Sequence, residues 1–239
     1  MTAPSLERLV PDELDEAGTT GRATLALHVE RYELAARHAR GRVLDLACGA
    51  GYGTRLVADR AREVTEAVGV DIAEDAVAYA RGRYARTGVR YELSDALAFR
   101  DAAGFDTAIS LETVEHVREP GELIAHLVSL LRPGGVLVAS VPTTPSVDVN
   151  PHHLHDFTER SLRALVAPHG LVEIDCLRQI QRFSPISALR REEARMADMR
   201  RGMVGYYMRH PGAAFRRLAA TMRYGFTNRY ATFVWRRPA

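Results

Sequence analysis

Five short apolar runs alternate with stretches of helical periodicity in the first 142 residues of this chain. The runs cover residues 43–47, 67–71, 89–93, 105–110 and 136–141. Each run is too short for a helix, and helical stretches follow the runs, so the pattern predicts a parallel sheet with right-handed crossovers. Ligands of such sheets bind beyond the carboxyl ends of the strands, and we expect the functional site there.

The pattern changes after residue 142. Residues 143–156 read as a loop rich in Pro and His, 158–169 as a helix and 171–177 as a sixth strand. The stretch 186–224 predicts two helices that break at Pro211-Gly212, and 229–236 predicts a final strand. The expected fold is therefore α/β: a Rossmann-like, doubly wound, seven-stranded sheet. It is mostly parallel with the last strand antiparallel, and a helical insertion precedes that strand.

The length of 239 residues favours a single domain. We expect an N-terminal cap helix within 1–40, a ligand-binding core at 41–182 and 227–239, and a helical lid at 183–226. The N-terminus is acidic and has no apolar segment of a signal peptide, and no apolar run is long enough to span a membrane. Two cysteines do not make a disulfide framework, so the expected location is the cytoplasm.

All 32 basic residues are Arg, and they are unevenly distributed. Residues 178–239 contain 14 Arg and three acids, whereas the rest of the chain is net acidic. Such a region can hold an anionic acceptor, a nucleic acid or a membrane surface. The alternative is that these Arg side chains face solvent and pair with the acidic part of the chain.

A glycine-rich turn follows the first apolar run, with glycines at 49, 51 and 53. Glycine permits positive φ and lets a ligand approach the backbone, and the next helix offers its N-terminus to polar groups. Asp71 ends the second run, 20 residues after Gly51, and suits the two hydroxyls of a ribose. Dinucleotide enzymes share this pattern, but Thr54 stands where their third glycine would be, which counts against NAD.

The segments VLDLACGAGYG, VGVDI, SDA, FDTAISLETVEHV and LRPGGVLVASVP occur in this order. From about residue 41 to 142, the series resembles the class I S-adenosylmethionine (SAM)-dependent methyltransferases. The resemblance implies a set of cofactor-binding residues at the strand ends, which contact different parts of the SAM molecule. Asp45, Ala47, Gly49, Gly51 and Leu111 would lie around the methionine part, Asp71 would bind the ribose, and Ile72, Asp95 and Ala96 would contact the adenine.

The upstream segment LHVERY resembles a part of those methyltransferases whose N-terminal helix closes over SAM. The resemblance implies that Arg31 or Tyr32 reaches the cofactor carboxylate. The alternative is an amphipathic helix with Arg31 in solvent.

Glu112, Glu115 and His116 stand at positions i, i+3 and i+4. If the segment is helical, they share one face and suit a divalent cation such as Mg²⁺ or Mn²⁺. His153, from the loop at 150–158, is the expected fourth ligand. This set resembles the ubiquinone-pathway catechol O-methyltransferases and the small-RNA 3′-terminal 2′-O-methyltransferases. The alternatives are that His116 or His153 acts as a general base, or that neither takes part in the chemistry.

The expected function is O-methylation of a hydroxyl on a small molecule: a sugar or an aromatic natural product, with a vicinal diol as one option. A hydroxyl needs a group that accepts or binds its proton, which the histidines supply and an amine would not need. The alternatives are an RNA 2′-O-methyltransferase, a small-molecule N-methyltransferase and a non-catalytic SAM-binding subunit. The basic segment suits an anionic acceptor, the chain carries no RNA-binding motif, and a homodimer is expected.

Overall fold

Seven strands form one sheet in the part of the chain that the computed structural model describes, which is residues 19–182, 200 and 202–239. The strands are β1 (Gly41–Leu46), β2 (Val64–Asp71), β3 (Val89–Leu93), β4 (Phe105–Leu111), β5 (Leu131–Pro142), β6 (Val172–Arg182) and β7 (Thr227–Arg236). Their order is β3-β2-β1-β4-β5-β7-β6. Strands β1 to β5 pair in parallel, and β7 runs antiparallel to both β5 and β6. The predicted fold class is confirmed.

Helices cover both faces of this sheet, and two further helices lie in the described part of the insertion before β7. They are α1 (Thr19–His38), α2 (Tyr52–Arg60), α3 (Glu74–Tyr84), α4 (Pro120–Leu130), α5 (Glu159–Val166), α6 (Met203–Arg209) and α7 (Pro211–Tyr224). Helices α1, α2 and α3 contribute to one buried cluster, and α4 and α5 contribute to another. The sheet therefore has an apolar core on each side.

Residues of β1 show why the strands read as continuous apolar runs. Val43 packs in the cluster with α1 to α3, and its neighbour Leu44 packs in the cluster with α4 and α5. Successive side chains of a strand point to opposite faces, so a strand covered on both faces needs apolar residues at every position.

The strand order reverses at β1. Strand β2 lies on one side of β1, and β4 lies on the other. The carboxyl ends of β1, β2 and β4 meet at this switch point, where the helical connections diverge and leave a crevice. The predicted glycine-rich turn follows β1, Asp71 is the last residue of β2, and Asp95 follows the neighbouring strand β3.

Helices α6 and α7 lie between β6 and β7 in the chain and are separated at His210, next to the predicted break. A buried carboxylate, that of Asp148, holds them against the loop that follows β5. Arg217 donates two hydrogen bonds to it, at 2.8 and 2.6 Å, and the Tyr207 hydroxyl donates a third at 2.7 Å. We call these three side chains the Asp148 latch.

The predicted cap at 1–40 and lid at 183–226 are described only in part. Residues 1–18, 183–199 and 201 lie outside the described residues. Among the helices that are described, none combines the length and the apolar character that crossing a bilayer requires.

Candidate functional site

The glycine-rich turn has two glycines with different roles. Gly51 has φ +81°, and a Cβ there would lie 2.6 Å from the Ala80 Cβ, so this glycine is required by packing. Gly49 has φ +55°, and a Cβ there would meet nothing within 4 Å. The backbone at Gly49 therefore borders open space that a ligand can fill.

Asp71 ties this turn to the start of α3. Its Oδ2 accepts a hydrogen bond from the Gly49 N–H at 2.8 Å, and its Oδ1 accepts one from the Ala73 N–H at 2.9 Å. Carboxylate oxygens have further lone pairs, so both atoms can still accept bonds from ligand hydroxyls.

A cleft of about 430 Å³ opens above the switch point. Eight of the predicted cofactor residues line it: Tyr32, Ala47, Gly49, Asp71, Ile72, Asp95, Ala96 and Leu111. The Ile72 side chain is 69% exposed, as expected of a surface on which a flat ring can pack. Four further lining residues are not predicted from the sequence, because no local pattern marks them: His28, Tyr52, Thr113 and Val117.

Asp95 also has a structural role. Its Oδ1 accepts hydrogen bonds from the backbone N–H groups of Leu97 and Ala98, at 2.8 and 3.3 Å. This arrangement fixes the carboxylate at the rim of the cleft, beside Ala96.

Asp45 lies behind the cleft and is buried. The Thr54 hydroxyl donates to its Oδ2 at 2.6 Å, and the Tyr32 hydroxyl lies 3.5 Å from its Oδ1. Burial, opposed by these two hydrogen bonds, raises the pKa of Asp45 to about 7. The carboxyl is thus poised to ionise when a cation binds in front of it.

Arg31 is buried and is not among the residues that line the cleft, so the alternative of an Arg31 in solvent is wrong, whereas its contact with the cofactor carboxylate stays a prediction. Its side chain is 1% exposed and stacks on Tyr230, with 4.3 Å from the guanidinium carbon to the ring centroid. Its Nε donates to Gln179 Oε1 at 2.7 Å, and its Nη1 lies 3.5 Å from Glu112 Oε1. Arg31 therefore fastens α1 to β6 through Gln179, while its buried Nη1 faces Glu112 without a hydrogen-bond partner in the described residues.

The expected helix at Glu112–His116 is a turn. Glu112 has φ +53°, and its backbone N–H donates to the Ser140 hydroxyl at 3.0 Å, which directs the chain away from a helical path. The same hydroxyl donates to Glu112 Oε1 at 2.7 Å. Glu112 lines the cleft, but Ser140 and Arg31 hold its carboxylate, and the structure does not bring it into the predicted metal-ligand group.

The other three predicted ligands come together. One ligand atom each of Glu115, His116 and His153 lies within 4.8 Å of the others. The chain segments are joined by the Leu154 N–H, which donates to the Glu115 carbonyl at 2.8 Å. A carboxylate with two imidazoles is a donor set that divalent transition metals and Mg²⁺ or Mn²⁺ can use.

His153 is held in a defined position in this group. Its Nδ1 lies 2.7 Å from the Ser146 Oγ, and its ring meets the His116 ring edge-on at 4.6 Å between centroids. Burial, with His116 and His152 nearby, lowers the pKa of His153 to about 3. The imidazole is therefore neutral at pH 7, and its Nε2 can serve as a ligand or an acceptor.

His116 belongs to this group and also lines the cleft. The structure thus joins two features: a crevice with a glycine turn and acids at the strand ends, and a carboxylate–imidazole group at its edge. The crevice can hold a nucleoside, and the group can hold a cation or accept a proton.

Comparison with known families identifies a methyltransferase domain at residues 44–139. This range contains the glycine-rich turn, Asp71, Asp95 and the Glu115–His116 pair.

Among curated proteins, the chain is 33% identical over 157 residues to a protein of Mycolicibacterium smegmatis named as a probable S-adenosylmethionine-dependent methyltransferase. That match covers 63% of this chain and 60% of the relative. A ubiquinone biosynthesis O-methyltransferase of Xanthomonas euvesicatoria is 36% identical over 106 residues, which cover 43% of each chain. The chain thus spans about three fifths of the first relative and less than half of the second.

Among solved structures, the chain resembles the N-methyltransferase NodS of Bradyrhizobium japonicum, determined with S-adenosylhomocysteine. The TM-score is 0.60 at 15% identity, over 94% of this chain and 90% of that one. At this identity the likeness shows the fold.

Proposed function

We propose that this chain is a class I S-adenosylmethionine-dependent methyltransferase and that it transfers the methyl group of SAM to a hydroxyl of a small acceptor. The observation that carries the choice of a hydroxyl is the group of Glu115, His116 and His153 at the edge of the cleft. A hydroxyl must lose its proton to become a good nucleophile, and this group offers the means.

The cleft fits SAM. The open space at Gly49 leaves room for the ligand beside the backbone, and Asp71 presents a carboxylate to a ribose. Ile72 and Ala96 offer apolar surface to the adenine. Asp45 does not line the cleft, but it lies 3.5 Å from the hydroxyl of Tyr32, which does, and would supply negative charge near the ammonium group. SAM supplies an electrophilic methyl group when bound, and these residues orient it toward the acceptor.

Glu115, His116 and His153 are the residues that would hold Mg²⁺ or Mn²⁺. Three ligands leave further coordination positions open, as a site that also receives substrate needs. A bound cation would lower the pKa of an acceptor hydroxyl, and a vicinal diol would occupy two such positions. The acceptor class proposed here is therefore a sugar or an aromatic compound with adjacent hydroxyls.

Two further features fit this proposal. The Arg-rich segment after residue 178 suits an acceptor that carries negative charge. Cys48 and Cys176 are both free thiols, which fits a reducing compartment and a cytoplasmic location.

The metal requirement gives the first test. We expect EDTA to abolish S-adenosylhomocysteine (SAH) release with catechol and sugar-diol acceptors, and Mg²⁺ or Mn²⁺ to restore it. The binding of Mn²⁺ to the protein without acceptor, followed by electron paramagnetic resonance, should weaken roughly tenfold or more in His153→Ala.

His152→Ala is the matched control, because its side chain belongs to the same loop but not to the ligand group. Full turnover after thorough chelation, with normal SAH binding, would contradict the metal and leave His116 as the proton acceptor. Methylation found only on acceptor nitrogen by NMR would contradict the proposed hydroxyl.

A further inference from the structure

Large apolar side chains lie exposed on α6, on α7 and on the turn after them. On α7 they are Phe215, Leu218 and Met222, at 72%, 58% and 80% exposure. Their spacing of three and four residues places them on one face of the helix. Val204 and Met208 of α6, one turn apart, and Phe226 after α7 are exposed as well. We call these six side chains the apolar stripe.

The orientation of α7 is fixed by its other face. Ala213 is buried, and Arg217, four residues later, enters the Asp148 latch and also donates to the Pro145 carbonyl. The stripe faces outward because the opposite side of the same helix is anchored by a buried ion pair. Scattered exposed apolar residues need no explanation, but an ordered row along one face of a helix, with further exposed apolar side chains on the adjoining segments, indicates a docking surface.

Positive charge borders the stripe. Arg216 and Arg223 stand seven residues apart on α7 and follow one side of the stripe, and Arg209 ends α6. Arg216 and Arg223 are exposed. From residue 200 to 239 the sequence contains nine Arg and neither Asp nor Glu. The stripe is thus flanked by Arg side chains, of which Arg216 is 61% exposed and also lies 3.8 Å from the Asp156 carboxylate.

The combination of apolar and positively charged side chains favours one kind of binding partner over others. A nucleic acid would meet the cations, but it offers little to the row of aliphatic and aromatic side chains. A second copy of the same face would bring Arg against Arg. An anionic bilayer offers acyl chains to the stripe and lipid phosphates to the flanking Arg residues.

We propose that α6 and α7 dock on an anionic membrane surface, with the apolar stripe in the headgroup boundary and Arg209, Arg216 and Arg223 at the phosphates. The proposal does not depend on methyl transfer. The docked helices are joined through Asp148 to the loop that carries His153, so docking would place that loop close to the membrane.

Co-sedimentation of the full chain with vesicles tests the proposal. We expect the wild type to bind vesicles of phosphatidylcholine mixed with phosphatidylglycerol, and to bind phosphatidylcholine alone much more weakly. Binding should weaken as salt is raised. The double variant Arg216→Gln, Arg223→Gln should lose about fivefold in partition for each charge removed.

The triple variant Phe215→Ser, Leu218→Ser, Met222→Ser should lose roughly tenfold or more in partition. Val172→Ser, at an exposed apolar position on β6, is the matched control and should bind as the wild type does. Melting temperatures establish whether each variant is folded. If the triple variant is not folded, the double Arg variant still tests the proposal.

Three outcomes would overturn the proposal. The first is that the wild type does not sediment with anionic vesicles. The second is that it binds neutral and anionic vesicles equally. The third is that the triple variant binds as the wild type does. A wild-type dimer that the triple variant dissociates, without vesicle binding, would assign the stripe to a second copy instead.

Discussion

Asp45, which the sequence motif marks as a cofactor residue, lies in an unusual environment for a carboxylate. Its carboxyl is buried between Thr54 and Tyr32, and the basic side chains of the chain do not contact it in the described residues. Burial also raises the pKa of Tyr32, and the negative charge of Asp45 adds to the effect. Ionising Asp45 without a cation therefore costs free energy.

The free energy of unfolding should fall as pH rises from about 4 to about 7. An unfolded Asp ionises near 4, whereas the folded Asp45 has a pKa of about 7. Between these values the native state binds more protons than the unfolded state, so stability decreases with rising pH and levels off above the folded pKa. Urea unfolding at pH 5 and pH 8 measures the decrease, and Asp45→Asn should remove this part of it.

Asp101→Asn is the control for this measurement. Hydrogen bonding to Arg42, although burial opposes it, lowers the pKa of Asp101, so that side chain is ionised in both states between pH 5 and 8. Its replacement should leave the decrease unchanged. An equal decrease in Asp45→Asn would show that another group is responsible.

The Asp148 latch connects the helical insertion to the loop that contains Ser146 and His153. Asp148 is 3% exposed and receives three hydrogen bonds, two of them from one guanidinium. The Arg217 and Tyr207 contacts lower the pKa of Asp148, although burial raises it. The position of the candidate ligand loop thus depends on helices far along the chain.

Arg217→Met should destabilise the protein by about 3 kcal/mol, because it leaves the Asp148 carboxylate buried without its cation. In a double-mutant cycle, adding Asp148→Asn should recover part of the loss. Urea unfolding gives both numbers. Arg55→Ala, which breaks an exposed pair with Asp59 on α2, should cost about 0.5 kcal/mol or less. Equal losses of stability from Arg217→Met and Arg55→Ala would mean that the Asp148 latch stabilises the protein no more than an exposed ion pair does.

The sequence allowed the strands and the glycine turn to be predicted because both depend on local pattern. It could not pair Asp148 with Arg217, which lie 69 residues apart and have no local signal. The helix expected at Glu112 was wrong because Ser140, from a neighbouring strand, holds the Glu112 backbone at positive φ. Strand β5 begins at Leu131, before the expected Val136, because Leu131 pairs with Phe105 across an irregular register.

At the scale of the whole molecule, the sequence motifs predict the part of the fold that forms the cleft, but they do not predict the rest of the candidate site. The cleft is built from the carboxyl ends of β1 to β4, whose order in the sequence is the order of the motifs. The group of Glu115, His116 and His153, where we propose that the acceptor binds, is built from the turn after β4 and the loop after β5, which meet only in the fold. This is why the cofactor follows from the sequence more readily than the acceptor.

SAH should stabilise the folded protein against heat, and NAD should not. A ligand at about one hundred times its Kd adds roughly 2.7 kcal/mol of stability. For a chain of this size that raises the melting temperature by roughly 5–10 °C. Asp71→Ala removes the carboxylate proposed for the ribose and should weaken SAH by about 2–4 kcal/mol, which calorimetry measures.

Glu173→Ala, in an exposed ion pair with Arg163 far from the cleft, is the control and should keep the full SAH effect. Stabilisation by NAD in place of SAH would contradict the assignment of SAM as the cofactor.

The strand order also has a consequence for how the chain reaches its fold during synthesis. Strand β6 pairs only with β7 in the described sheet, and β7 is made more than forty residues later. Strands β1 to β5 can assemble as they emerge, but β6 must wait for β7 to be inserted between it and β5. Until then Gln179 cannot accept the hydrogen bond from Arg31, so in a nascent chain the cleft would form before α1 is fastened to β6.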